Sequence, residues 1–240
     1  RRHMNRIKKL LAFCLSLTMI CGAALSVNAA NSVGLVTVRT DFSEVSVPAA
    51  VPVLQYAGSG NSSILNTALP KGTAYKVTFT YGGKGNFIVN FITDERTELL
   101  VNSIGSYAGT TLLSDGSDAV PLGIFDIRAE GNWTITVSTV TNLSTNSVTS
   151  IGDKVSGVFN LPGTGTTVSI NNTGKGNFIV WAHYSDGTSQ LLVNNIGAYS
   201  GQAVLNNPKK TNCYLEVKSD GQWTVDMGYG GALSLVPDIN

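Results

Sequence analysis

From Tyr75 to Tyr81 every second residue is bulky and apolar. Tyr75, Val77, Phe79 and Tyr81 alternate with Lys76, Thr78 and Thr80, the period-two pattern of a strand with one face in a core. Phe87, Val89 and Phe91 repeat the pattern after the Gly82-Gly83 turn, and Trp133, Ile135 and Val137 repeat it after Glu130-Gly131-Asn132. Asp94-Glu95-Arg96-Thr97 reads as a hairpin tip, and residues 99–101, 110–113 and 122–127 read as further strands. No stretch after the first 29 residues shows a helical period.

The whole pattern then occurs a second time. Gly83-Lys84-Gly85-Asn86-Phe87-Ile88-Val89 returns as Gly174-Lys175-Gly176-Asn177-Phe178-Ile179-Val180. Leu100-Val101-Asn102-Ser103-Ile104-Gly105-Ser106-Tyr107-Ala108-Gly109 returns as Leu192-Val193-Asn194-Asn195-Ile196-Gly197-Ala198-Tyr199-Ser200-Gly201. Phe87 and Phe178 are 91 residues apart, Val101 and Val193 are 92, and Trp133 and Trp223 are 90. Two copies of one folding unit follow. The expected fold is all-β: two tandem antiparallel β-sandwiches, jelly-roll-like, of about seven short strands each. Their expected spans are 57–140 and 151–228, with a Ser/Thr/Asn-rich linker at 141–150 and a tail at 229–240. A unit of about 80 residues buries only about 60–65% of its unfolded surface, which favours packing of the two copies on each other.

The start of the chain reads differently. Arg6, Lys8 and Lys9 precede an apolar run over residues 10–25, and Val27-Asn28-Ala29 places small residues where a signal peptidase looks. Residues 1–29 are therefore expected to be a cleaved signal peptide, with Arg1-Arg2-His3 standing as an addition ahead of Met4. Residues 30–56, Val-rich but broken by Pro48 and Pro52, are expected to form an extended arm or an edge strand. The expected location is secreted or at a bacterial cell surface, with no transmembrane segment once the signal is gone.

That cleavage changes the charge. The full chain carries +1, but loss of Arg1, Arg2, Arg6, Lys8 and Lys9 leaves 11 basic residues against 15 acidic ones, near −4. The remaining basic residues are scattered, so a nucleic-acid partner is not expected. Cys14 and Cys21 would leave with the signal, and Cys213 alone cannot form an internal disulfide.

The repeated Gly-Asn-Phe-Ile-Val, Leu-Val-Asn-x-Ile-Gly-x-Tyr-x-Gly and Gly-x-Trp-Thr words resemble an uncharacterised β-sandwich module of exported bacterial proteins. More loosely, they are similar to jelly-roll domains appended to secreted peptidases. The resemblance covers about two-thirds of the chain. It implies a β domain outside the cell and brings no catalytic residues.

Candidate chemistry is sparse. His183 is the only histidine after residue 3, and no Gly-x-Ser-x-Gly turn accompanies it. The chain is expected not to be an enzyme, and no cofactor is expected. Asp115 and Asp118 share a loop and are the calcium candidates, although the second copy has Asn207 to Lys210 there. Trp133 and Trp223 are expected in the cores, and Tyr107 and Tyr199 are expected to bond backbone at corners. Trp181 differs: the first copy has Asn90 in its place, and alternation puts Ile179, Trp181 and His183 on the face away from the core. Ile179, Trp181, His183 and neighbouring Tyr184 are the candidate ligand-binding residues. The expected function is adhesion or ligand binding, glycan included, to a surface ligand, glycan or protein. The alternative is a structural subunit of an extracellular assembly, self-associating by strand pairing of the N-terminal arm.

Overall fold

Alternating apolar residues turn one face of each strand inward, and two sheets close over the faces they share. The computed structural model describes residues 54–142, 145–161, 166–205 and 212–228. The expected signal peptide, the arm up to residue 53 and the tail lie outside the described residues.

The first repeat contains β1 (Leu54–Ser59), β2 (Ser62–Asn66), β3 (Tyr75–Tyr81), β4 (Asn86–Ile92), β5 (Thr97–Ile104), β6 (Tyr107–Ser114), β7 (Gly123–Arg128) and β8 (Asn132–Thr139). They form two four-stranded sheets, in the orders β1-β8-β3-β6 and β2-β7-β4-β5. The second repeat contains β9 (Ser147–Ile151), β10 (Lys154–Val155), β11 (Thr166–Asn172), β12 (Asn177–Tyr184), β13 (Ser189–Ile196), β14 (Tyr199–Leu205), β15 (Cys213–Lys218) and β16 (Gln222–Asp226). Its sheets run β9-β16-β11-β14 and β10-β15-β12-β13, which is the first arrangement with every number raised by eight. The named strand pairs are antiparallel. Chain-adjacent strands mostly change sheet, which makes each repeat an eight-stranded jelly roll.

Each repeat has its own core. In the first, Phe79, Phe87, Phe125, Trp133 and Ile135 are fully buried; in the second, Ile170, Phe178, Leu215, Trp223 and Val225 are. Burying a side chain of this size contributes about 1.5–3 kcal/mol. Trp133 and Trp223 also satisfy their polar atom in matching ways. Trp133 donates its indole N–H to Gly60 O, and Trp223 donates to Gly152 O, both at 2.9 Å. Gly60 and Gly152 both sit at φ 72°, in the turns β1–β2 and β9–β10, where a side chain would be strained.

The boundaries shift from the sequence reading. Ser147–Ile151 is a strand of the second sandwich, where a linker is expected, and the first sandwich opens at Leu54. β9 escapes notice because its residues alternate between exposed and half-buried, with none fully inside. The described end of the arm pairs within its own repeat, Leu54 with Val137 and Tyr56 with Ile135. That removes residues 54–56 from any strand offered to a neighbour.

Candidate functional site

Strand β12 sorts its residues by face. Phe178, Val180, Ala182 and Tyr184 are buried in the second core. Ile179, Trp181 and His183 point the other way, and Trp181 remains 38% exposed. On the neighbouring strands Trp181 stands beside Glu216 and Leu191, Ile179 beside Lys218, and His183 beside Tyr214. An extra residue in β13 at Val180/Trp181 breaks the register at this point.

This outer face meets the first repeat. Strand β6 lies at the edge of its sheet, and the β9–β10 turn docks against that edge. The Thr110 amide donates to Asp153 O at 3.0 Å. The Tyr107 hydroxyl donates to Asp153 Oδ2 at 2.9 Å, and the Leu112 amide donates to Glu216 Oε1 at 3.2 Å. Asp153 is itself fixed, because its Oδ1 accepts the Ser219 amide at 3.1 Å. Tyr107 therefore bonds a carboxylate of the other repeat and not a backbone group at its own corner. Its ring lies over Gly109, which explains the Gly two residues after each corner tyrosine. Burial, reinforced by Asp153, drives the Tyr107 hydroxyl far above its ordinary pKa, so it stays a donor.

Past the joint the two repeats diverge into a cleft of about 1090 Å³. One wall carries Ile179, Trp181, Glu216 and Lys218; the other carries the β4–β5 tip, Leu99 and the loop after β6. Six carboxylates (Asp94, Glu95, Glu98, Asp115, Asp118 and Glu216) line it against Arg96 and Lys218. Glu98 and Arg96 pair at 3.3 Å, so part of the positive charge is already taken.

The candidate residues occupy three different places. Trp181 and Ile179 line the cleft. His183 is held at the joint: Nδ1 shares a hydrogen with Ser189 Oγ at 2.9 Å, its ring stacks on Tyr214 at 5.2 Å, and Nε2 stops 3.5 Å from Glu216 Oε2. Tyr184 belongs to the core and donates to Gln190 Oε1 at 2.7 Å; burial, then Cys213 and Asp186, push it up to about 12. Its placement next to His183 in sequence put it among the candidates, and strand alternation takes it out.

Asp115 and Asp118, read from sequence as a pair on one loop, stand in the same cleft as Trp181. Asp115 Oδ1 accepts the Ser117 amide at 2.9 Å and the Ser117 hydroxyl at 2.7 Å. Partial burial raises the Asp115 carboxyl, but those bonds, with nearby His183, outweigh it and hold the group below its ordinary value. Among the described residues no group of three or more His, Cys, Asp or Glu is arranged to hold a metal ion. The sequence misses the joint residues Asp153, Glu216, Tyr214 and Leu112; only their position on edges and turns marks them.

No protein-family model and no curated protein matches the chain. Solved structures similar to it include a cupin 2 conserved barrel domain protein from Leptotrichia buccalis, 8% identical over 87% of this chain and 98% of that one, with a TM-score of 0.27. A mutant of the oxalate decarboxylase of Bacillus subtilis is 11% identical over 88% of this chain and 78% of that one, at 0.27. The PBSX exported protein XepA is 9% identical over 87% and 98%, at 0.25. The expected adhesion or ligand binding at a bacterial surface, glycan included, is corrected, as is its structural-subunit alternative. Trp181 lines a cleft between the repeats, not an open surface platform, and the described end of the arm pairs within its own repeat.

Proposed function

We propose that this is a two-lobed interaction protein that works without covalent chemistry and receives a cationic polypeptide segment between its jelly rolls. The observation that carries this reading is Trp181. Its indole is accessible within a cleft whose walls bear six carboxylates and two basic groups. An aromatic face beside carboxylates suits Lys and Arg side chains. The ring attracts the cation, the apolar wall of Leu99 and Ile179 takes the methylene stem, and the acids supply the field.

The test uses a hexa-arginine peptide and a hexa-glutamate peptide, followed through tryptophan emission. Hexa-arginine is expected to change the emission, less so at high salt, and hexa-glutamate to leave it unchanged. Trp181→Ala abolishes the response. Glu98→Gln and Asp118→Asn each weaken binding about two- to fivefold, the scale of one surface ion pair. Equal responses to both peptides, or none to hexa-arginine, overturn the reading.

A further inference from the structure

The contact between the two repeats is heterologous: a turn of one repeat meets an edge of the other. Because the repeats share one fold, each also carries the surface that it does not use in that contact. The second repeat has a receiving edge, β14, and the first has a docking turn, β1–β2. We propose that chains associate head to tail, the β1–β2 turn of one copy docking on the β14 edge of the next.

The docking turn is already built. In the second repeat the Gly152 amide bonds Gly221 O at 3.1 Å, Trp223 caps Gly152 O, and Asp153 Oδ1 holds the Ser219 amide. In the first repeat the Gly60 amide bonds Gly131 O at 3.1 Å, Trp133 caps Gly60 O, and Asn61 Oδ1 holds the Ala129 amide at 3.0 Å. Asn61 thus stands where Asp153 stands. Asp126 stands where Glu216 stands, since both follow three residues into β7 and β15.

The receiving edge matches as well. The pairing of Thr78 with Thr110 has its counterpart in Ser169 with Gln202. The outward amides of Ser200, Gln202 and Val204 therefore correspond to those of Ala108, Thr110 and Leu112, and they have no partner among the described residues. Exposure follows the vacancy. Thr110 is 3% exposed and Leu112 is half-buried, whereas Gln202 is exposed and Val204 is 55% exposed. Natural edges are usually blunted by charge or proline, and β14 has neither. In the docked pair the Gln202 amide would donate to Asn61 O, the Val204 amide to the Asp126 carboxylate, and the Asn61 side-chain amide to the Tyr199 hydroxyl. Such a contact is heterologous: it closes into a ring where the rotation between copies allows, two copies included, and otherwise continues into a filament.

Sedimentation velocity on the full chain tests this across a wide concentration range. The average mass is expected to rise with concentration above that of the monomer. Val204→Lys blocks the edge and Asp126→Lys blocks the turn, so each variant alone stays monomeric. Mixed in equal amounts, they form a dimer and nothing larger, because one free turn meets one free edge. Circular dichroism and melting confirm that each variant is folded; should Val204→Lys fail there, Gln202→Lys on the same edge replaces it. A wild type that stays monomeric at its highest soluble concentration, or a blocked variant that associates like wild type, overturns the proposal.

Discussion

Trp223 reaches across the second sandwich to place its indole N–H 2.9 Å from the carbonyl of Gly152, and so ties β16 to the turn that meets the first repeat. Trp223→Phe keeps most of the ring volume but leaves Gly152 O without that donor. A loss of about 1–3 kcal/mol is expected for an unsatisfied buried acceptor. Chemical denaturation measures it. An unchanged midpoint would show that the bond contributes nothing.

Tyr107 and Tyr199 occupy the same position in the two repeats, yet among the described residues only Tyr107 has a carboxylate to bond. Tyr107→Phe strands Asp153 Oδ2 at the joint and is expected to cost about 1.5–3 kcal/mol, the range for a hydrogen bond to a charged group. Tyr199→Phe in dilute solution is expected to stay within about 0.5 kcal/mol. Faster amide exchange at Thr110 in the Tyr107 variant locates the loss at the joint. Equal costs for the two substitutions contradict this account.

Gly109 lies beneath the Tyr107 ring, and Gly201 lies beneath that of Tyr199. A valine at either place must push the ring off its strand. We expect Gly109→Val to cost about 1–3 kcal/mol, as overpacking does, and to loosen the joint because Tyr107 moves with it. Thermal melting together with small-angle scattering separates the two effects: Gly201→Val lowers the melting temperature without changing the scattering of the monomer.

Cys213 is buried, and burial pushes its thiol from 9.0 up to about 12. Burial likewise raises Tyr56 to about 12. The folded protein holds these protons more tightly than the unfolded chain. Their contribution is therefore complete below about pH 9 and is lost as pH rises towards 12. Stability is expected to fall over that window, less steeply in Cys213→Ala. At neutral pH a thiol reagent should modify Cys213 only as fast as the protein unfolds. Rapid labelling of the native protein would contradict its placement.

Trp133 and Trp223 are buried, and Trp181 is open to solvent. Acrylamide is expected to quench one fraction of the emission and spare the rest, with the quenchable fraction gone in Trp181→Ala. Uniform quenching in both proteins would place Trp181 elsewhere.

Much of the architecture is written in the chain because a jelly roll needs one apolar residue in every two. Phe87, Val89 and Phe91 display that rule, and so do their counterparts Phe178, Val180 and Ala182. Strand β9 is the exception. Ser147–Ile151 covers an edge without entering the core, so nothing in its polarity distinguishes it from a linker. The cleft is half legible. Alternation places Ile179, Trp181 and His183 on one outer face. What faces them, Asp115 and the Leu112 amide, depends on how two sandwiches dock, and docking leaves no periodic signal. The same alternation, applied one residue further, assigns Tyr184 to the core.

The arrangement of entering and leaving strands sets how each lobe bears a pulling force. Leu54 at the start of β1 lies beside Val137 near the end of β8, and Ser147 at the start of β9 lies beside Asp226 at the end of β16. Tension along the chain therefore arrives at two neighbouring antiparallel strands from the same end. Their cross-strand bonds are loaded one rung at a time, as in peeling, and never together in shear. Each lobe resists heat with its whole core but resists traction with a single pair of bonds. Stretched from its ends, the protein is expected to open lobe by lobe at low force, with β1 or β9 the first strand to leave.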